Sequence, residues 1–414
     1  MRVFPGEYYS RVTIGKVSVA PPQNELSRSV SGGGKAIAGF LLSGFLLALL
    51  GAILPAWGYH RDPPDFVAVG NYFLSLAAGI VAGAVLARRI GARRGVPFLL
   101  VSACLLACAA LVYLAMVAPP MSSWWRVAGL LALGAGAGCL NMGLFHAISP
   151  AYQSDVAGAV IRGGVFYGLG CLAATLLVAG TFYAYSVRTI LLVMAAVPAL
   201  YAAIYARARF GPPAERPMPA LRQALQDFRS FGAILFALLL FLQFGNEWSL
   251  AGWLPLVLIR RVGLSPPAAL FILVLYWMFL LTGRLGAIAI LPSVRHTRLL
   301  LVSGLLAMFG CFLLFYTNNS FGAAMGVFFV GAGYASIYPL VAEAIGRRFP
   351  YYHPGFFNGI FSLALLGGLL APATLGYVAS VWSVGVVIGI PLIGTLLVIA
   401  LLLLIWLESK VTGR

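Results

Sequence analysis

The chain has 414 residues, of which 62% are hydrophobic and only 9% are charged. A soluble domain carries about 25% charged residues, so this composition excludes an ordinary soluble protein and indicates one that crosses a membrane repeatedly. The net charge of +17 could suit nucleic acid, but the basic residues stand at the ends of apolar segments. We therefore expect a lipid bilayer, and no nucleic acid, as the partner of these charges.

The apolar segments predict the fold class. Residues 1–34 are polar and rich in Ser, Gly and Pro, which predicts a flexible cytoplasmic tail. Beyond them, apolar runs of about 20 residues recur, the length at which a helix crosses the hydrocarbon. We expect an all-α membrane protein with twelve transmembrane helices. The predicted spans are 36–58, 66–87, 96–118, 126–148, 156–182, 189–207, 231–258, 267–290, 299–316, 321–345, 355–380 and 384–407.

These spans form two groups of six, separated by a segment rich in Pro and Arg. Within that segment apolar and basic residues recur on opposite sides at helical spacing, which predicts an amphipathic helix on the inner membrane surface. The predicted parts are an N-terminal half over 35–207, a linker over 208–230, a C-terminal half over 231–407 and a cytoplasmic tail over 408–414.

Lysine and arginine predict the orientation, because positive residues gather in cytoplasmic loops. If both termini are inside, the N-terminal tail, the turn 88–94 and the linker are cytoplasmic, and these segments carry many of the basic residues. We predict a multi-pass protein with cytoplasmic termini, and its short loops favour a bacterial inner membrane. Few basic residues then remain outside: Arg61, Arg126, Arg188, Arg260 and Arg261.

A Gly/Arg turn follows the second span, and Thr282–Gly286 repeats it at the end of the eighth, as two parallel halves would require. The first turn is similar to the Gly-x-x-x-Asp-Arg-x-Gly-Arg-Arg signature of the major facilitator superfamily, with Ala87 in place of the acid. The resemblance implies two pseudo-symmetric six-helix halves and transport by alternating access. The residues that fit are Gly83, Arg88, Gly91, Arg93 and Arg94.

Four short stretches resemble one branch of that family, the fucose:proton symporters and glucose permeases. The branch carries acids near two positions that are Gly51 and Asn141 here. The resemblance therefore implies a sugar-like solute, while its proton-handling acids are absent from both positions. The stretches are Leu50–Pro55, Gly138–Asn141, Asn246–Pro255 and Gly331–Pro339.

Glu247 lies in the middle of the seventh span, where a carboxylate costs about 2.5–3.5 kcal/mol. It is tolerated there if it faces a polar cavity, has a partner or carries a proton. Gln243 and Asn246 can share its helix face, and Trp248 can offer an aromatic platform to a hydroxylated solute. A structural acid paired inside the bundle is the alternative. We interpret Trp253, near the end of the span, as an interface anchor.

Further candidates combine aromatic and amide groups in the second half. Tyr276, Tyr334, Tyr338 and Asn358 lie in or beside spans eight, ten and eleven, and we predict that they line a solute cavity. Packing of the bundle core is the other explanation for these aromatics. Asn141, at mid-depth in the fourth span, either lines the cavity or joins helices, because an unpaired amide in lipid is costly.

Basic residues at the inner ends of spans predict a gate. The resemblance assigns Arg88 and Arg93 to an inner gate, and Arg162 near the cytoplasmic mouth belongs to the same set. Recognition of an anionic substrate is the alternative for Arg162. Arg284 and Glu343 end the eighth and tenth spans, and we expect them to form an ion pair that acts as a latch.

Together these features predict a monomeric transporter for a small hydroxylated solute, a sugar or a relative, and proton symport through Glu247 is our hypothesis for its coupling. An exporter of drugs, lipids or other amphiphiles is the alternative, because the spans are rich in aromatics. We do not expect an enzyme, since no catalytic constellation or soluble domain is present, and we predict no cofactor and no metal.

Overall fold

A computed structural model describes residues 23–154, 156–208, 210, 228, 230–290, 294–349 and 359–412. In these residues the chain is helical almost throughout, with eleven helices long and apolar enough to cross a membrane. The helices are α1 (Gln23–Ile53), α2 (Phe66–Met116), α3 (Ser123–Ser154), α4 (Val156–Thr181), α5 (Val187–Ala206), α6 (Phe231–Val262), α7 (Pro266–Ile290), α8 (His296–Tyr316), α9 (Ser320–Arg348), α10 (Gly359–Val381) and α11 (Val386–Thr412).

The α2 helix explains why eleven helices correspond to twelve predicted spans. It runs for 51 residues but is broken at Gly95, whose φ of 79° and ψ of 171° are not helical. A straight helix of this length would extend about 76 Å, far beyond the roughly 30 Å hydrocarbon core. Glycine adopts positive φ readily, so Gly95 allows the chain to turn between the second and third predicted spans.

Two predicted segments differ from, or lie beyond, the described helices. The α1 helix begins at Gln23, inside the segment 1–34 that we predict to be a flexible tail. Once an apolar helix is nucleated, extending it into neighbouring polar residues costs little. The predicted amphipathic helix of the linker lies outside the described residues, apart from Phe228, and stays a prediction.

Close packing between helices depends on glycine. The α2 and α3 helices cross where Gly79 meets Gly134, and a Cβ on Gly134 would lie 2.2 Å from the carbonyl oxygen of Leu76. The α1 and α4 helices meet in the same way at Gly44 and Gly170. In a membrane such contacts replace the hydrophobic driving force, because small residues allow the backbones to approach.

The two halves, α1–α5 and α6–α11, contact each other at two levels. Where α1 and α6 end, which is the predicted outer side, Gly70 of α2 packs on Gly376 of α10. Tyr377 of α10 also donates to Asn71 of α2 at 2.6 Å. Nearer the predicted inner side, α4 packs on α7, where Gly168 faces Leu281.

The α2–α3 crossing leads to a stability prediction. Gly134→Leu places a side chain where the backbone of α2 already lies, so we expect the variant to lose about 1–3 kcal/mol of stability or more. Thermal unfolding of the purified protein in detergent measures the loss. Gly180→Leu is the matched control, because a Cβ there meets no atom within 4 Å. Equal melting temperatures for both variants would contradict the packing argument.

Candidate functional site

A cavity lies between the two halves, bounded by α1, α2, α4, α6, α7 and α10. Its walls are mainly apolar, with Leu76, Ile80 and Leu369 among the lining residues. Three aromatic residues with polar atoms also line it, Tyr167, Trp248 and Trp277. Ligand sites commonly combine such apolar walls with a few directed polar groups.

Beside this cavity, Glu247 of α6 pairs with Arg284 of α7. The Oε1 atom of Glu247 lies 3.2 Å from Nη2 of Arg284, and the two side chains are only 5% and 13% exposed. The helices run antiparallel, and Arg284 lies about one turn further from their shared loop than Glu247. Because helical side chains tilt towards the N-terminus of their own helix, the two side chains converge.

Neighbouring groups brace this pair and connect it to the other half. Tyr276 of α7 donates its hydroxyl to the backbone carbonyl of Glu247 at 3.2 Å. Arg284 donates through Nη1 to the backbone carbonyl of Gly164 at 3.3 Å. Gly164 belongs to α4 in the first half, so Arg284 contacts the acid of its own half and the backbone of the opposite half at once.

The pair is not fully hydrogen-bonded. Within the described residues, Oε2 of Glu247 and Nε of Arg284 are buried without a hydrogen-bond partner, and so are both amide atoms of Gln243. Buried polar atoms are expensive to leave unpaired, so these groups favour a site that receives water or a solute. An intramembrane ion pair of this kind typically marks a functional position.

The predicted latch between Arg284 and Glu343 is wrong. Glu343 instead pairs with Arg347 on its own helix. It also pairs with His296 of α8, and 3.1 Å separate the Nε2 atom of His296 from the carboxylate of Glu343. Arg284 points away from the inner end of α7, towards the middle of the membrane, because of the tilt described above. A latch between these two ends would need the opposite direction.

The predicted shared face of Gln243, Asn246 and Glu247 is wrong for Asn246, which does not face the same helix as Glu247. Asn246 points to α11, where its amide lies 3.5 Å from the hydroxyl of Thr395, while Glu247 points to α7. Adjacent residues on a helix are separated by about 100°, so they cannot both face one neighbour. Gln243 is fully buried one turn from Glu247.

The two tryptophans of α6 have different surroundings. Trp248 lines the cavity, and its ring centre lies 6.5 Å from that of Tyr167 on α4. Trp253 is fully buried, stacks on Phe73 of α2 and donates to the carbonyl of Pro372 at 2.9 Å. The interpretation of Trp253 as an interface anchor is therefore wrong, because an anchor would be exposed to headgroups.

Several predicted site residues contact their own half instead of lining the cavity. Asn141 accepts a hydrogen bond from Ser43 of α1 at 2.7 Å, which favours its role in joining helices. Tyr334 is buried, with its hydroxyl 2.7 Å from Thr395. Tyr338 packs on Phe244, with 5.1 Å between ring centres.

The remaining candidates lie at the predicted inner end or beyond the described part of the chain. Arg88, Arg93 and Arg162 have exposed side chains, and their gating role stays a prediction. Asn358 lies outside the described residues, so its placement at the cavity also stays a prediction.

Sequence reasoning placed Arg284 at the inner surface and so missed it as the partner of Glu247. The available signal was its position within the span 267–290, since a charge inside a span is a functional candidate by default. The structure also gives a reason for Gly51, which lies near a position where the branch that the sequence resembles carries an acid. A Cβ there would lie 2.4 Å from the carbonyl oxygen of Ala251, so no side chain fits in this conformation.

The ion pair leads to a prediction about stability. Arg284→Met leaves the carboxylate of Glu247 buried without a counter-charge, so we expect a loss of about 3–5 kcal/mol. Adding Glu247→Gln should recover much of that loss, which a double-mutant cycle of melting temperatures in detergent will measure. Arg347→Gln is the control, because its pair with Glu343 is largely exposed and should change stability by about 1 kcal/mol or less. Additive effects would contradict a coupled pair.

Comparison with known structures shows the same fold. A D-xylose–proton symporter superposes with a TM-score of 0.70 at 16% identity, covering 89% of this chain and 97% of that chain. The transporter FucP in its outward conformation gives a TM-score of 0.62 at 15% identity, with coverages of 90% and 98%. The fucose:proton symporter of E. coli gives 0.60 at 14% identity, with coverages of 91% and 99%.

Comparison of sequences shows the family. An uncharacterized MFS-type transporter of Yersinia pestis is 25% identical over 159 residues, which span 38% of this chain and 41% of that relative. The model of the Major Facilitator Superfamily matches residues 36–372, most of both halves. The chain is therefore a multi-pass membrane protein that belongs to the Major Facilitator Superfamily.

Proposed function

We propose that this protein moves a small hydroxylated solute, a sugar or a close relative, across a bacterial inner membrane by alternating access. Both termini lie in the cytoplasm in this proposal. The cavity between the halves and the buried ion pair beside it support a central solute site. The names of the similar structures, symporters of D-xylose and of fucose, support a sugar.

The observation that carries the proposal is the double contact of Arg284. It binds Glu247 within its own half and the carbonyl of Gly164 in the other half. A proton on Glu247 would cancel the charge of the carboxylate and weaken its hold on Arg284. The charge state of one acid is thereby linked to a contact between the halves, which is what coupling a proton to alternating access requires.

Coupling through Glu247 gives a quantitative prediction. A gradient of about one pH unit supplies ~1.36 kcal/mol per proton, so coupling one proton to one solute should accumulate the solute about tenfold. Glu247→Gln should abolish this accumulation while equilibration of the solute continues. Uptake of a panel of labelled sugars into proteoliposomes, with and without an imposed pH gradient, measures both.

Glu343→Gln is the matched control for this experiment. Its carboxylate lies at the predicted inner end, pairs with Arg347 and His296, and is 31% exposed. We expect this variant to accumulate the solute like the unmodified protein. Accumulation by Glu247→Gln equal to that of the control would contradict proton coupling at Glu247. Facilitated diffusion of the same solute would then be the function.

A second candidate function is export of an amphiphile. The apolar walls of the cavity favour it, and the amides of Asn141 and Asn246 contact their own half rather than converging on the cavity. Against it stand the three polar aromatics of the cavity and the buried amide of Gln243, one turn from Glu247, which has no hydrogen-bond partner within the described residues. Including labelled amphiphiles in the same uptake panel decides between the two, since transport of amphiphiles alone would overturn the sugar assignment.

A further inference from the structure

At the predicted outer end, one arginine joins the two halves. Arg260, in the last turn of α6, lies 2.6 Å from a carboxylate oxygen of Asp62. The same Nη1 atom lies 3.3 Å from the backbone carbonyl of His60. Both partners belong to the loop 54–65, which joins α1 to α2 in the first half, whereas α6 belongs to the second half.

The loop 54–65 is attached to its own half by a different arginine. Arg126 of α3 donates to the hydroxyl of Tyr72 on α2 at 2.8 Å and to that of Tyr59 in the loop at 3.0 Å. It also donates to the backbone carbonyl of Met121 at 2.8 Å. The loop would therefore stay with the first half if Arg260 released it.

The neighbouring Arg261 offers a natural comparison. It donates to the backbone carbonyls of Leu314 and Phe315, and its guanidinium lies 5.4 Å from the ring centre of Phe315. These two residues are at the end of α8, so in the described residues Arg261 bonds within the second half. Of two adjacent arginines, one reaches the opposite half and the other does not.

The contact of Arg260 is suited to repeated opening. Asp62 is 81% exposed and Arg260 is 24% exposed, and ion pairs this accessible contribute little stability. Water can replace both bonds of Arg260 when the halves separate. By contrast, the buried contacts of Arg126 would be costly to expose, because its guanidinium is enclosed by the rings of Trp57, Tyr59 and Tyr72.

We propose that Arg260 is a gating residue at the outer mouth of the cavity, which it helps to close by binding Asp62 and the His60 carbonyl across the boundary between the halves, beside the contact of Tyr377 with Asn71. This assignment rests on the alternating access proposed above. When Arg260 releases the loop 54–65, the outer ends of α1 and α6 separate and the cavity opens to the outside.

His60 adds a dependence on outer pH. Burial, followed by the charge of Arg61 and then that of Arg260, lowers the pKa of His60 below its ordinary value of 6.5 in the closed arrangement. Asp62, two residues further along the loop, is engaged by Arg260. A lowered pKa means that the closed state favours neutral His60. Protonation as the outer pH falls below about 6.5 therefore favours opening.

The test measures access to the cavity from outside. Ala48 of α1 lines the cavity, so Ala48→Cys can report opening through its reaction with a membrane-impermeant maleimide added outside sealed vesicles. The protein without the added cysteine is the blank for its five native cysteines. Arg260→Gln should label about two- to five-fold faster, in keeping with the small energy of an exposed pair. Arg261→Gln should label at the unmodified rate.

Two further variants separate gating from misfolding. Asp62→Asn removes the partner charge from an exposed loop without touching α6, and it should also label faster. The exchange Asp62→Arg with Arg260→Asp should slow labelling again. Because maleimide reacts with the thiolate, a lower outer pH slows the reaction itself in every variant. The pH effect on opening is therefore read as the labelling rate of Ala48→Cys divided by that of Ala48→Cys with His60→Asn, and this ratio should rise as the outer pH falls.

Equal labelling rates for Arg260→Gln and Arg261→Gln would overturn the assignment, as would unchanged labelling of Asp62→Asn. The labelling needs neither solute nor pH gradient. If Arg260→Gln takes up solute normally and labels at the unmodified rate, the outer-gate role of Arg260 is overturned while the proposed transport stands. If Arg260→Gln labels faster but the protein transports none of the tested solutes, the gating role of Arg260 stands and the proposed solute is overturned.

Discussion

The buried pair of Glu247 and Arg284 is the interaction on which the proposed site depends. Each charge alone would be costly inside the bilayer, and together they are tolerated because antiparallel helices tilt the side chains towards each other. Arg284 also reaches the backbone of α4, so the pair touches both halves. A change in the charge of Glu247 would therefore alter the interactions of Arg284, which contacts both halves.

Glycine makes the rest of the arrangement possible. Gly51 allows α1 to press on α6, and Gly70 and Gly376 do the same for α2 and α10. The branch that the sequence resembles carries an acid near this position, and at Gly51 the space for any side chain is filled by backbone. The Gly/Arg turns of the two halves also differ in their surroundings, because Arg88 and Arg89 are exposed whereas Arg284 is largely buried beside Glu247.

The helical spans, Glu247 as the unusual acid and Trp248 beside it were all predicted from the sequence. The contacts that these side chains make with other helices were not predicted correctly. The pairing of Arg284 with Glu343, the common face of Asn246 and Glu247, and the exposed position of Trp253 were wrong, since each depends on the direction of a side chain around or along its helix. Apolar length shows that a residue is in the membrane, but it does not show which neighbouring helix that residue faces.

By itself, the sequence determined that the chain crosses a membrane repeatedly, because apolar length and charge spacing are local properties that no packing changes. It also placed Glu247 in the middle of an apolar helix. Only the tertiary structure decided that Arg284 is its partner, that Asn141 joins helices, and that Arg260 spans the halves while Arg261 does not. Those outcomes arise from contacts between residues far apart in the chain, whose geometry is set by how the helices pack.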